Sequence, residues 1–236
     1  MAALIQLQLD FDKRINQDPR PTSMNEAEKR KIISLQILTS EGIPFIDHLP
    51  AIEASSESSR RNEKEVVQRA IALAIVAVHA SYEDRKLTLE LVDEFKAVGL
   101  FSKEEQDFIQ NHNPDFESRS KFSWRFESVN TLLWALQFFE ELAKPYVSAD
   151  VQEIAEIMRS LGLTGLLDRA NLREQSQLLD QTDLYYRYHW AVVEADLKGE
   201  PLPGDVLGRV IEERHLAFNW LIDHEKTDWD HISTNT

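Results

Sequence analysis

Asn62-Glu-Lys-Glu-Val-Val-Gln-Arg-Ala-Ile-Ala-Leu-Ala-Ile-Val-Ala-Val78 is the stretch that decides the fold class. Val66, Val67, Ala70, Ile71, Leu73, Ala74, Val76, Ala77 and Val78 leave almost no polar face at helical spacing. A helix apolar nearly all round needs other elements around it, so it belongs at the centre of a core. Helix signals continue on both sides. Ser23-Met-Asn-Glu26 reads as a capping box, opening a helix that carries Ile32 to Leu38 and stops at Gly42 before Pro44. Downstream, helices are expected from Thr88 to Gly99, from Ser102 to Asn111, over 121–143, over 151–161, from Asn171 to Lys198, and from Gly204 through Leu221. With 7 Gly and 8 Pro, the chain has few turn-makers for a sheet. The expectation is all-α: a single domain of about eight helices over 23–236.

The first residues read differently. Ala3, Ile5, Leu7, Leu9 and Phe11 alternate with Leu4, Gln6, Gln8 and Asp10, a period of two that suggests a short strand. No second strand is evident to pair with it, so residues 1–22 form an arm and linker. Residues 3–11 are then a candidate for pairing with another copy of the chain.

The formal charge of −15 disfavours nucleic acid and anionic membrane as partners, because both require a positive surface. It favours a basic protein partner. The absence of cysteine removes disulfides, thiol nucleophiles and cysteine metal sites. The N-terminus lacks a basic region ahead of an apolar one, and no apolar run reaches the ~18 residues of a membrane helix. The expected compartment is the cytoplasm.

Charge and aromatic bulk crowd together in the last fifth of the chain. Asp183-Leu-Tyr-Tyr-Arg-Tyr-His-Trp-Ala191 places Asp183 and Arg187 four apart, facing each other on a helix, with Tyr186, His189 and Trp190 beside them. Glu212-Glu-Arg-His-Leu-Ala-Phe-Asn-Trp-Leu221 carries Glu213, Arg214, Asn219 and Trp220, and Asp228-Trp229-Asp230 follows. Cross-helix pairs of Glu213 with Arg187 and of Asp183 with Arg214 would be consistent with this spacing. The set is either a buried polar network or a site in which Arg187 clamps an anion, His189 exchanges a proton and Glu213 acts as base. Glu212 and His215 have the spacing of carboxylate-bridged metal helices, but the second Glu-x-x-His is missing, so no metal is expected. Arg119, Lys121 and Arg125 among Phe122, Trp124 and Phe126 could stack on a single strand, or be a solvated face over core aromatics. No phosphate loop, nucleophile elbow or zinc-protease motif occurs, and no cofactor is expected.

These segments carry a resemblance. Leu49-Pro-Ala-Ile-Glu53, Trp124-Arg-Phe-Glu127 with Leu133-Trp-Ala-Leu136, the Asp183 and Glu213 segments, and Asp228-Trp-Asp230 in this order resemble the family catalogued as domain of unknown function 4272, over residues 28–236. The chain departs from the family pattern around 163–180, where it reads Leu172-Arg-Glu-Gln-Ser-Gln-Leu-Leu179. The resemblance implies that the three C-terminal segments work as one element, and it assigns no catalytic residue. Two functions stand: a non-enzymatic, acidic interaction module of inhibitor or immunity type, or an enzyme or small-molecule binder with an Arg/His/Glu cleft.

Overall fold

The computed structural model describes residues 24–236. The strand and arm expected over 1–22, and Ser23 of the expected capping box, lie outside the described residues. Among the described residues the fold is all-α. Its helices are α1 (Glu26–Glu41), α2 (Glu63–Tyr82), α3 (Arg85–Glu94), α4 (Lys103–Gln110), α5 (Phe116–Ser123), α6 (Arg125–Ala135), α7 (Val151–Arg169), α8 (Gln175–Lys198) and α9 (Gly208–Leu221).

The central helix is α2. Its start is fastened by a capping box: Asn62 Oδ1 accepts from Glu65 N at 3.0 Å, and Glu65 Oε2 accepts from Asn62 N at 2.9 Å. Ile71, Leu73 and Val76 are fully enclosed, because α2 is packed by α6 and α5 on one side and by α3 on another. Each such side chain contributes about 1.5–3 kcal/mol of burial. By length and composition alone α2 could cross a bilayer, but 72% of its apolar window is buried against the other helices. The packing then continues from α6 to α9, from α9 to α8, and from α8 to α1. The polar residues of interest lie along that series.

Several element bounds differ from the sequence expectation for identifiable reasons. Helix α1 is capped by Asn25 with Glu28, and the Glu26 carboxylate of the expected box bonds Ser55 and Arg30 instead. Helix α3 begins three residues before Thr88, capped by Asp84, and Thr88 turns inward to bond His79. The helix expected over 121–143 is two helices that meet at Trp124, and the second stops at Ala135. Arg173 explains the stop: its Nε donates to Trp134 O at 2.8 Å and its Nη2 to Phe139 O at 2.8 Å and Glu140 O at 2.7 Å. The amides of Asn171 and Arg173 also bond the carbonyls of Leu136 and Ala135, so α8 begins at Gln175 rather than Asn171. In α7 the expected break at Gly162 is a kink (φ 58°, ψ −175°), beyond which the helix resumes to Arg169. Helix α9 starts at Gly208, after a 3-10 turn over Pro203–Asp205.

Candidate functional site

Three buried ion pairs connect α6, α8 and α9 to the loops around them. In the first, Arg187 Nε and Nη2 each donate to the Asp183 carboxylate at 2.9 Å, within α8 as the spacing predicts. Both side chains are 0% exposed. Arg187 Nη2 also donates to Pro50 O at 3.0 Å, and Asp183 Oδ1 accepts from Ile52 N at 3.2 Å. The pair therefore clamps the Leu49-Pro-Ala-Ile-Glu53 loop onto α8.

In the second, Arg214 of α9 bonds Glu127 of α6 through Nε at 3.0 Å and Nη2 at 2.9 Å. Its remaining donors reach Tyr185 Oη at 2.9 Å, Ala143 O and Val147 O, while Glu127 Oε1 accepts from Ala149 N at 2.7 Å. Burial raises the Tyr185 hydroxyl pKa, so that oxygen stays protonated while it accepts from Arg214. In the third pair, Arg125 Nη1 donates to both Glu213 oxygens at 3.1 and 3.0 Å, and Ser128 Oγ to Glu213 Oε2 at 2.8 Å.

The sequence pairing of Glu213 with Arg187 and of Asp183 with Arg214 is thus corrected. Glu213 and Arg214 both turn towards α6, which presents Arg125 and Glu127 with the opposite charges. Glu127 is the residue that sequence reasoning missed, and Arg125 was read only as one cation of a basic run; their place in Trp124-Arg-Phe-Glu127 was the signal that links them. Arg125 is buried rather than on a solvated basic face, Arg119 pairs with Glu83, and Lys121 pairs with Glu104. The three cations that suggested stacking on a single strand are each neutralised.

His189 of α8 and His215 of α9 meet with their Nδ1 atoms 2.9 Å apart, so one ring donates and the other accepts. Tyr186 lies beside His215 with ring centroids 5.8 Å apart, and Trp190 packs partly buried against the core. Burial pushes both histidines below the ordinary imidazole value, His215 strongly, where His189 and His224 further disfavour its charge. Glu212 pairs with Arg209 rather than joining His215. Among the described residues no group of three or more His, Asp or Glu side chains is placed to hold a metal. A folded pKa below the unfolded 6.5 means that the unfolded chain takes up the proton first. Stability from this pair is therefore full above about pH 6.5 and falls as the pH drops below it. Urea midpoints at pH 7.5 and 5.5 should show this loss in wild type, and His215→Leu should flatten it. Equal pH dependence in both proteins would refute the assignment.

The remaining predicted residues gather where the C-terminal segment returns across α2, α4 and α6. Trp229 is buried edge-on to Trp220 at 5.7 Å. The guanidinium carbons of Arg69 and Arg125 lie 5.1 and 5.7 Å from the Trp229 ring centre. Asp230 Oδ2 accepts from Glu104 N at 3.1 Å at the start of α4, and Asn219 Nδ2 donates to Ser233 O at 2.8 Å. Open space lies to either side. One cleft of about 560 Å³ has Lys121, Arg125, Arg209, Glu213, Trp229 and Asp230 in its walls. The other, of about 450 Å³, is lined by Arg61, Arg69, Ser102, Lys103, Trp220 and Trp229 among others. Of the expected clamp, base and proton donor, only Glu213 lines one of these two clefts; Arg187 and His189 line neither.

No curated protein and no solved structure matches the chain. One family model does, and it covers both the buried pairs and the Asp228-Trp-Asp230 segment. Matching over residues 29–232, the chain belongs to the family described as Domain of unknown function (DUF4272).

Proposed function

We propose that this protein is a non-enzymatic interaction module, of the inhibitor type, that receives a basic segment of a partner protein in the 560 Å³ cleft beside Trp229. One observation carries the reading. Lys121, Arg209 and Arg125 in that cleft are each paired, with Glu104, Glu212 and Glu213. Asp115, Glu117 and Asp230, which also line it, form no ion pair among the described residues, although Arg119 lies near enough to Asp115 to favour its charge. The cleft thus keeps a negative excess within a chain of formal charge −15, and such a field accelerates encounter with a basic partner. Phe116, 78% exposed on the rim, adds an aromatic surface for the stems and charges of Lys or Arg side chains. Arg187, the anion clamp of the rival reading, is fully enclosed and bonds Asp183 and Pro50 O, with Nη1 alone unpaired, and it lines neither of the two clefts.

The test is titration with an oligolysine peptide, followed by tryptophan emission. Binding should weaken steeply with added salt. Glu117→Lys should cost about fivefold in affinity, the scale of one rim charge, whereas Glu90→Lys on α3, outside the cleft, should cost much less. Salt-indifferent binding, or equal losses at both positions, would sink the proposal.

A further inference from the structure

The chain beyond α9 is held in a way that suggests a bound ligand more than a packed terminus. Asp223, Glu225 and Lys226 all have left-handed backbone (φ 53°, 56° and 53°), and none is glycine. The strap then presents Trp229 to two guanidiniums and the Asp230 carboxylate to the first turn of α4. Arg69 is paired with Glu105, and Arg125 with Glu213, so two ion pairs wall the indole slot. The slot is incompletely satisfied. Arg69 Nε, Arg125 Nε, Glu105 Oε1 and Trp229 Nε1 are buried without a hydrogen-bond partner, and they belong to side chains at least nine-tenths enclosed. Buried polar atoms left unpaired in this way call for an explanation, because closing the strap over them is costly.

We infer that this slot is a ligand site for an aromatic carboxylate, and that Trp229 and Asp230 occupy it in cis. Two guanidiniums against a flat ring favour an aromatic group. A helix start with Glu104 N–H directed outward favours a carboxylate. The strap supplies both from consecutive residues. Trp229 and Asp230 border both clefts, so lifting them would join the two spaces over Arg69 and Arg125. Left-handed residues at the hinge and unpaired atoms beneath the strap both lower the cost of opening. The slot shares Trp229 and Asp230 with the basic-segment cleft, but the inference does not rest on that reading, because its probes are anionic or neutral and a basic segment would not compete for the two guanidiniums.

The test uses Trp229→Ala/Asp230→Ala in the full chain, with folding confirmed by circular dichroism. The probes are indole-3-acetate, neutral indole and the tripeptide Asp-Trp-Asp, titrated calorimetrically. Removing the internal competitor should tighten indole-3-acetate binding about tenfold or more over wild type. Adding Arg69→Lys, which keeps the charge but loses the planar fork, should reverse that gain. The tighter of indole-3-acetate and tripeptide identifies a free acid or a peptide as the source of the group. Neutral indole binding as tightly as indole-3-acetate would reduce the slot to a cavity and overturn the inference, as would no binding by the folded variant. If the double variant does not fold, wild type decides. Saturating indole-3-acetate should speed hydrogen exchange of the His231 and Ile232 amides, which now bond Asp228 O and Trp229 O. Unchanged protection would overturn it.

Discussion

Glu127→Gln is expected to destabilise the protein by about 3–5 kcal/mol, the largest effect foreseen for one nearly isosteric change. Arg214 is 0% exposed and Glu127 3%, so removing the negative charge strands a guanidinium that water cannot reach. The amide would also present an N–H group towards Arg214 or towards the Ala149 amide that now donates to Oε1. Loss would spread to residues 143–149, whose carbonyls at 143 and 147 are held by Arg214. Urea unfolding reads the cost directly. Double replacement, Glu127→Leu with Arg214→Met, should cost less than the single change, because a buried pair contributes far less than the penalty of breaking it. A single-site cost below about 1 kcal/mol would show that the pair is hydrated in solution.

Arg187→Met is the second large effect, expected at about 3 kcal/mol or more. It leaves Asp183 fully buried with only Ile52 N as donor, and it frees Pro50 O from the loop that Arg187 now clamps. Glu213→Gln offers a contrast. It also breaks an Arg–carboxylate pair, but Arg125 and Glu213 border a cleft that admits water, so its cost should be clearly smaller. Equilibrium unfolding of the two variants beside wild type separates scaffold from site. A large loss for Arg187→Met assigns Asp183 and Arg187 to holding the 49–53 loop. Unchanged or improved stability would mean instead that the pair is kept for activity, as residues are when function trades against folding.

Helix positions were legible where the signal is local. Helices α2 and α4 start where expected, after Asn62 and Ser102, each closed by a capping box, and Gly199 ends α8 in left-handed conformation (φ 66°). Where a distant residue supplies the backbone partner, local reading failed. The aromatic run over 121–143 has helical periodicity to its end, yet Arg173, more than thirty residues downstream, takes the carbonyls of Trp134, Phe139 and Glu140. The candidate site divided in the same way. Asp183 and Arg187 could be paired from sequence because they share one helix face. The partners of Glu213 and Arg214 could not, since charge alone does not say whether α6 or α8 supplies the opposite ion.

By itself the sequence determined that this chain folds as helices around an almost wholly apolar α2, because periodicity and caps act within a few residues. It also determined an acidic surface charge, which needs no fold at all. Only the tertiary structure decided that Glu213 meets Arg125, that Arg214 meets Glu127, and that Asp228-Trp229-Asp230 returns to fill a slot between α2, α4 and α6. Those contacts join residues from 87 to 126 positions apart across the ion pairs and the Asp230 bond, and farther still between Arg69 and Trp229. They are selected by which helix faces pack and which buried charges must then be neutralised, a condition on the whole molecule that no local window contains.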